Sequence, residues 1–170
     1  MEAQDLRDLQ RPLKQKYKDD PLSALIPAHA EGRIDVASLT CTIAAGQQLT
    51  AGLHAAAGGS GALACSADLL LQSLVACAGV TFASVATAMG VPIRSARVEA
   101  HGQWDARGTL AVDRDAPVGV TDVTLRFRID SEADDLTLER LVGLAERYCV
   151  VAQTLAHATS VTTDYERPAA

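Results

Sequence analysis

The sequence is poor in aromatic residues, which make up only 4% of its 170 residues although 48% of the chain is apolar. Alanine, valine and leucine therefore supply most of the apolar mass, and helices rich in such small residues can pack closely. A chain of this length suits one folded domain, because it can bury about two thirds of the surface that the unfolded chain exposes. We expect a single globular core.

Clustered positive charge is also missing from the chain. The net charge is −6, and the lysines and arginines are scattered along the sequence. A protein with this charge distribution has no broad electrostatic attraction to nucleic acid or to anionic lipid. We therefore expect neither a nucleic-acid partner nor a membrane partner.

The first 20 residues lack the apolar core of a secretory signal, because charged residues occur throughout them. We expect a cytoplasmic protein with reduced thiols. Its four cysteines are too few and too widely spaced for a disulfide scaffold, and no C-x-x-C pair or Cys/His cluster indicates a structural zinc site. No metal is expected.

One segment without any charge, residues 69–89, is long enough to span a membrane. It contains five polar residues and many alanines, Asp68 precedes it, and no Lys/Arg cluster flanks it. These features favour a helix buried in the core of a soluble protein over a membrane span. The polar residues are Gln72, Ser73, Thr81, Ser84 and Thr87.

The first half of the chain leads up to this helix. Residues 1–20 have leucines at helical spacing and predict a short amphipathic helix or a loose arm, and residues 28–50 alternate in two pieces that predict a hairpin. Ser66 is a good N-cap for the long helix, with Asp68 in its first turn. Gly90-Val91-Pro92 would end it after Met89.

The second half of the chain is predicted to alternate strands and helices. Residues 98–104 and 110–112 read as strands joined by a turn at Arg107-Gly108, and residues 123–129 give the clearest alternation in the chain. An amphipathic helix follows over residues 131–148. Residues 149–158 either continue it or begin a second helix, and residues 160–163 predict a terminal strand.

This order of elements predicts an α+β fold in one domain, residues 28–170, preceded by an N-terminal helical arm, residues 1–27. A helix that is apolar on every face needs cover on every face, and a chain of this size has little material to supply it. We therefore expect a homodimer in which the long helix meets its copy. The small residues Ala76, Ala78 and Gly79 would permit a close approach.

The chemistry of single residues leaves the roles of Cys77 and Cys149 open. A cysteine in an apolar helix is usually inert packing, and burial raises its pKa. Cys149 follows Glu146-Arg147-Tyr148 and is predicted to lie at a helix junction. Nearby positive charge or a helix N-terminus there would stabilise its thiolate.

Three segments together resemble the OsmC/Ohr family of osmotically inducible and organic hydroperoxide resistance proteins. They are SADLLLQSLVACAGV at residues 66–80, VEAHGQWDARGTLAVD at residues 98–113 and AERYCVVAQTL at residues 145–155. The resemblance extends over about residues 28–165. It implies an OsmC-like fold, in which antiparallel sheets pack around a long buried central helix in an intertwined homodimer.

The resemblance also implies a thiol-dependent peroxidase used in oxidative-stress defence. As a thiolate, Cys77 would attack an organic hydroperoxide, with hydrogen peroxide as a second candidate substrate, and would become a sulfenic acid. Cys149 would then convert the sulfenic acid to a disulfide. An apolar pocket would favour organic hydroperoxides. No bound cofactor is implied, because an external dithiol, such as a lipoylated protein or thioredoxin, would reduce the disulfide.

A positive charge is implied beside the reacting thiol, since the departing alkoxide must be stabilised. In the family this is an arginine held by a glutamate at the helix start. Arg33, within Glu31-Gly32-Arg33-Ile34-Asp35, resembles the Gly-Arg-Asp loop that carries it, although a solvated strand-end arginine would look the same. Ala67 occupies the glutamate position, and the adjacent Asp68 is either its substitute or an ordinary helix-start charge.

Other departures keep a second interpretation open. Val150 follows Cys149 where the family often has proline, and Cys65, just before the helix, is either an alternative thiol or a buried spectator. His54 either lines a pocket or lies on the surface. With the glutamate missing, the alternative to a peroxidase is a non-enzymatic OsmC-like protein that binds a small apolar ligand.

Overall fold

A computed structural model describes residues 3–35, 40–43, 52–157 and 160–167. Within these ranges the chain forms α-helices and strands in a mixed order, as the predicted α+β class requires. The strands are β1 Leu25–Asp35, β2 Thr40–Ile43, β3 Ser95–Asp105 and β4 Val120–Asp130. The helices are α1 Ala3–Asp19, α2 Ser66–Met89, α3 Ala106–Thr109, α4 Asp135–Tyr148 and α5 Val150–Ala156.

The described strands form one antiparallel sheet in the order β2-β1-β3-β4, where several sheets were expected. β1 and β2 make the predicted hairpin. β4 contains the segment with the clearest alternation, and its residues alternate between half-buried and exposed along its length. Such alternation gives the sheet one core face and one wet face.

Helix α2 packs against the core face of this sheet. The ring of Phe82 stacks on Phe127 of β4 at 5.1 Å, and both belong to one apolar cluster with Val98 and Ala100 of β3. Gly90 ends the helix as predicted, with the left-handed φ of 65° that glycine tolerates. At the other end Cys65, and not Ser66, occupies the N-cap position.

One stripe of α2 is left uncovered by its own chain. Leu70 is 36% exposed and Val80 is 41% exposed, and the exposed Ser73 and Ser84 lie on the same side. These residues follow one another at spacings of three, seven and four positions, or about one, two and one helical turns, which places them on one helical face. By length and composition α2 is the one helix in the described ranges that could cross a membrane, but 44% of its most apolar window is buried inside the protein.

The connection between β3 and β4 differs from the predicted strand–turn–strand. Residues 110–112 form no strand, because the chain turns into α3 directly after Asp105. The Asp105 carboxylate accepts a hydrogen bond from the Arg107 backbone N–H at 2.9 Å and caps this short helix. The Arg107 side chain also pairs with Asp105 and Asp113, so local ionic contacts override the alternating pattern.

The predicted terminal strand at residues 160–163 is also wrong. Residues 160–167 are exposed and form no strand, and Val161 is 86% exposed. A strand gains its backbone hydrogen bonds only from a neighbouring strand, and this segment pairs with none of the described strands. Two alternatives that the sequence left open are resolved. The N-terminal segment forms a helix over residues 3–19, and the segment after Cys149 forms a second helix, α5, separate from α4.

Candidate functional site

Cys77 and Cys149, which are distant in sequence, come together where α2 meets the junction of α4 and α5. Helix α4 packs on the core through Leu141 and Ala145, which are both fully buried. That packing brings Cys149, the residue between the two helices, against α2. Cys149 is fully buried, Cys77 is half-buried, and both are free thiols.

The backbone at Cys149 ends one helix and begins the next. Its extended conformation, φ −75° and ψ 108°, breaks α4, and its thiol accepts a hydrogen bond from the Ala152 N–H at 3.4 Å as the N-cap of α5. The first N–H groups of a helix have no partner within the helix. Here two of them, from Val150 and Val151, donate to the sulfur of Cys77.

The pKa of Cys77 is lower than that of an ordinary thiol because four hydrogen bonds outweigh its burial. Burial is the largest single influence and raises the pKa. The Val151 N–H, the Cys149 thiol, the Val150 N–H and the Thr81 hydroxyl all lower it by hydrogen bonding to the sulfur. The thiolate form is therefore favoured by neutral donors.

Thr81 has two acceptors within reach. Its hydroxyl donates to the Cys77 carbonyl oxygen at 2.7 Å, and it also hydrogen bonds to the Cys77 thiol. A hydroxyl has one proton, so it can donate to only one of these atoms at a time. When Cys77 is ionised, its sulfur is the stronger acceptor and competes for that proton.

The pKa of Cys149 is shifted in the opposite direction from that of Cys77. The pKa of Cys149 is raised to about 11, mainly by burial. The Ala152 and Val151 N–H groups oppose this shift, whereas the hydrogen bond to Cys77 and the negative charge there add to it. Of the two thiols, Cys77 therefore ionises first and Cys149 stays protonated beside it.

Only the backbone of Arg33 can be placed relative to this site, so its role there stays a prediction. The backbone lies in β1, where the register sets it opposite Thr42 and Arg97. The side chain of Arg33 lies outside the described part of the structure.

Asp68 is also separated from the two thiols. It lies in the first turn of α2, as predicted. Nine residues of α-helix separate it from Cys77, which amounts to about 13.5 Å along the axis and half a turn around it. Asp68 therefore points away from the face that carries Cys77 and cannot touch the sulfur.

Cys65 and His54 lie together elsewhere, in a pocket at the start of α2. His54 thus lines a pocket, which was one of its two predicted placements. Cys65 is 9% exposed and hence buried, which agrees with its interpretation as a buried spectator. Neither Cys77 nor Cys149 lines that pocket.

The sequence analysis missed Thr81 and the two backbone donors. Thr81 follows Cys77 by four residues, and side chains at this spacing are neighbours on a helix, so the signal was present. The N–H groups of Val150 and Val151 carry no sequence signal, because their role depends on the junction of α4 and α5 meeting α2.

A cleft of about 430 Å³ opens near the pair, although neither thiol lines it. Ala152, whose N–H donates to Cys149, lines it together with apolar residues such as Leu74 and Phe127 and with the acidic residues Asp122 and Glu146. In the described ranges no cluster of three or more His, Cys, Asp or Glu side chains is placed to hold a metal ion. The arrangement can thus support thiol chemistry near a cleft that is lined by both apolar and acidic residues.

Comparison with known proteins finds a matching family model and a solved structure of similar fold. Residues 59–164 match the family model described as OsmC-like protein. A search of the curated proteins finds no match. Among solved structures, an OsmC-like hydroperoxide resistance protein from Jannaschia sp. CCS1 is similar, with a TM-score of 0.61 and 16% identity over 85% of this chain and 95% of that one.

Proposed function

The chain belongs to the OsmC-like family, and from this premise we propose that it is a thiol-dependent peroxidase that reduces organic hydroperoxides. The observation that carries the proposal is the hydrogen-bonded pair of free thiols, in which the pKa of Cys77 is lowered and that of Cys149 is raised. This difference assigns the attacking role to Cys77 and the resolving role to Cys149.

In the first step the Cys77 thiolate attacks the terminal oxygen of the hydroperoxide. An S–O bond forms as the O–O bond breaks, and the alkoxide leaves as an alcohol after taking up the proton that Cys77 lost on ionising. Cys77 is oxidised to a sulfenic acid and the hydroperoxide is reduced. The donors from Val150, Val151 and Thr81 lower the pKa of Cys77 and so favour the ionised sulfur before the attack.

In the second step Cys149 attacks the sulfenic acid sulfur of Cys77. The new S–S bond replaces the S–O bond, and water leaves with the thiol proton of Cys149. The first step also prepares this one, because it removes the negative charge on Cys77 that raises the pKa of Cys149. An external dithiol, of the lipoylated-protein or thioredoxin kind, then supplies two electrons in the cytoplasm.

We also propose a homodimer that covers the exposed stripe of α2. Cys77 lies on the same helical face as Leu70 and Ser84, because each is seven residues away, or about two turns. A second copy on this stripe would shield Leu70 and Val80 from water and enclose the thiols. An enclosed apolar site would favour organic hydroperoxides over hydrogen peroxide.

Arg33 is our candidate for the cation that stabilises the departing alkoxide, since the described donors to Cys77 are all neutral. Only its backbone, in β1, is described, and the approach of its side chain to the thiols is part of this proposal. Asp68 does not reach the sulfur, so any role for it in the reaction would be to position another residue.

Titration of free thiols with cumene hydroperoxide tests this function. The wild-type chain should lose two thiols per chain at micromolar peroxide, and a Cys65→Ser control should lose the same two. Cys77→Ser should lose none, and Cys149→Ser should retain one added oxygen by mass. If the wild type loses no thiols, the alternative is favoured, in which an OsmC-like protein without enzymatic activity binds a small apolar ligand.

A further inference from the structure

A second pocket, of about 390 Å³, lies at the start of α2 and away from the two reacting thiols. Its walls include Leu53, Leu70, Trp104 and Val120, and no described residue that lines it is charged. The volume is within the range of small-molecule sites, about 300–1,000 Å³. The pocket therefore suits a neutral, mainly apolar molecule.

His54 is held in one tautomer at the wall of this pocket. Its Nδ1 accepts a hydrogen bond from the Ala56 N–H at 3.0 Å, so the proton of the neutral ring is on Nε2. The ring meets Trp104 edge to face, with 5.3 Å between centroids. His54 can thus donate one hydrogen bond from a fixed ring.

Helix α1 fixes the turn that carries His54. The Tyr17 hydroxyl donates to the Ala56 carbonyl oxygen at 2.6 Å, and Tyr17 is buried. Ala56 is therefore held from both sides, by Tyr17 through its carbonyl and by His54 through its N–H. This contact gives the N-terminal arm a role in shaping the pocket.

Two further groups complete the wall. Cys65 is 9% exposed and makes no side-chain hydrogen bond as the N-cap of α2, and Trp104 is 7% exposed. A buried thiol and an indole offer soft, polarisable contacts to an apolar molecule. The pocket thus combines a hydrophobic lining with one oriented donor, the usual composition of a small-molecule site.

We propose that this pocket binds a small neutral ligand with an apolar body and one hydrogen-bond acceptor, such as a ketone, whose oxygen accepts from His54 Nε2. The site is separate from the thiol pair: Leu70, the lining residue that shares a face with Cys77, is about 10.5 Å from it along the helix. Binding therefore does not need Cys77 or Cys149.

Fluorescence titration with 6-propionyl-2-(dimethylamino)naphthalene, a neutral apolar ketone, tests the proposal. Trp104 is the only tryptophan in the chain, so energy transfer from it to the probe reports binding, and the variants below assign that binding to this pocket. Wild type should show saturable transfer with a blue-shifted probe emission. The Cys77→Ser/Cys149→Ser double variant should bind equally well, which separates this result from any failure of the peroxidase proposal.

Two variants should weaken binding, and one should not. Ala67→Leu fills the pocket with a residue that suits a helix and should weaken binding at least tenfold. His54→Phe keeps a ring but removes the Nε2 donor together with the Nδ1 acceptor of the Ala56 N–H, and should weaken binding at least fivefold, the effect of one lost hydrogen bond. Leu136→Ala changes an exposed residue on α4 and is the control. All variants are compared with wild type by circular dichroism.

Alkylation of Cys65 by N-ethylmaleimide, read on its own peptide by mass spectrometry, gives a second measurement. The probe should slow alkylation of Cys65 in the folded wild type and in Leu136→Ala. The proposal is overturned if wild type shows no saturable transfer, if folded Ala67→Leu binds as tightly as wild type, or if the bound probe leaves the alkylation rate of Cys65 unchanged.

Discussion

Asp105 and Cys77 are both acidic groups whose pKa the protein lowers, but their partners differ. Asp105 is 2% exposed, and both of its carboxylate oxygens share the hydrogen of Arg107 Nε, at 3.0 and 3.1 Å. The carboxylate also accepts hydrogen bonds from Arg107 Nη2 and from the Arg107 backbone N–H. Cys77 has no cation among its described donors, which are two backbone amides, one hydroxyl and one thiol.

The difference separates a structural charge from a reactive one. The hydrogen bond to Arg107 is the main reason that the pKa of Asp105 is lowered, so this carboxylate is ionised throughout the neutral range and holds the β3–β4 connection. Neutral donors lower the pKa of Cys77 without covering its sulfur with a bulky counter-ion. A thiolate held in this way can still approach a peroxide oxygen.

The largest expected effect comes from removing the reactive charge altogether. Cys77→Ser should abolish hydroperoxide reduction, because a serine hydroxyl does not ionise near neutral pH and does not attack an O–O bond. Consumption of cumene hydroperoxide in the presence of a dithiol measures this, with Cys65→Ser as the control. Substantial activity in Cys77→Ser would assign the chemistry to another thiol.

Arg33→Ala tests whether the neutral donors at Cys77 are enough for fast attack on the peroxide without a cation. If Arg33 stabilises the departing alkoxide, its loss should slow the peroxide step by about 30- to 1,000-fold, or about 2–4 kcal/mol, as for other oxyanion donors. Stopped-flow measurement of sulfenic acid formation gives the rate. The control is Arg97→Ala, which changes the residue opposite Arg33 in β3. A rate equal to wild type would remove Arg33 from the mechanism.

Asp105→Asn tests the structural charge. It should lower the free energy of unfolding by about 2 kcal/mol, since it weakens charge-assisted hydrogen bonds to a buried group, and it should leave peroxide reduction unchanged. Asp113→Asn, at the more exposed partner of Arg107, should cost less. Urea unfolding measures both. An equal loss in the two variants would contradict the assignment of Asp105 as the central partner.

The same pair predicts an acid dependence. The pKa of Asp105 is lower in the folded chain than in the unfolded chain, so its contribution is fully present above the unfolded value of about 4 and is lost as the pH falls through the folded value. The free energy of unfolding of wild type should therefore exceed that of Asp105→Asn by less in acid than at neutral pH. A pH-independent difference between them would show that the ion pair is not the cause.

Sequence reasoning succeeded where one strong periodicity or one resemblance decided the outcome. The uncharged run of α2 and the alternation of β4 each predicted an element, and the family motifs selected Cys77 and Cys149 before any contact between them was known. It failed at Arg107-Gly108, because a turn signal does not reveal that Asp105 will cap a helix there. It also missed the donors to Cys77, two of which exist only through the meeting of α5 and α2.

Thr81 gives the smallest expected effect and the sharpest test of how neutral donors act. Thr81→Val keeps the shape of the side chain but removes the hydroxyl, so the pKa of Cys77 should rise and its alkylation at neutral pH should slow about threefold, as for one neutral hydrogen bond of about 0.7 kcal/mol. The pH profile should shift upward while the rate at high pH stays the same, because only the ionised fraction has changed.

Thr87→Val is the matched control. The Thr87 hydroxyl donates to the Ala83 carbonyl oxygen at 2.8 Å, the same bond across one helical turn that Thr81 makes to Cys77 at 2.7 Å, but the acceptor residue is an alanine without a thiol. If Thr81 acted only by bracing the helix, the two variants would change the alkylation profile alike. A shift confined to Thr81→Val would mean that its proton moves from the carbonyl oxygen to the sulfur when Cys77 ionises.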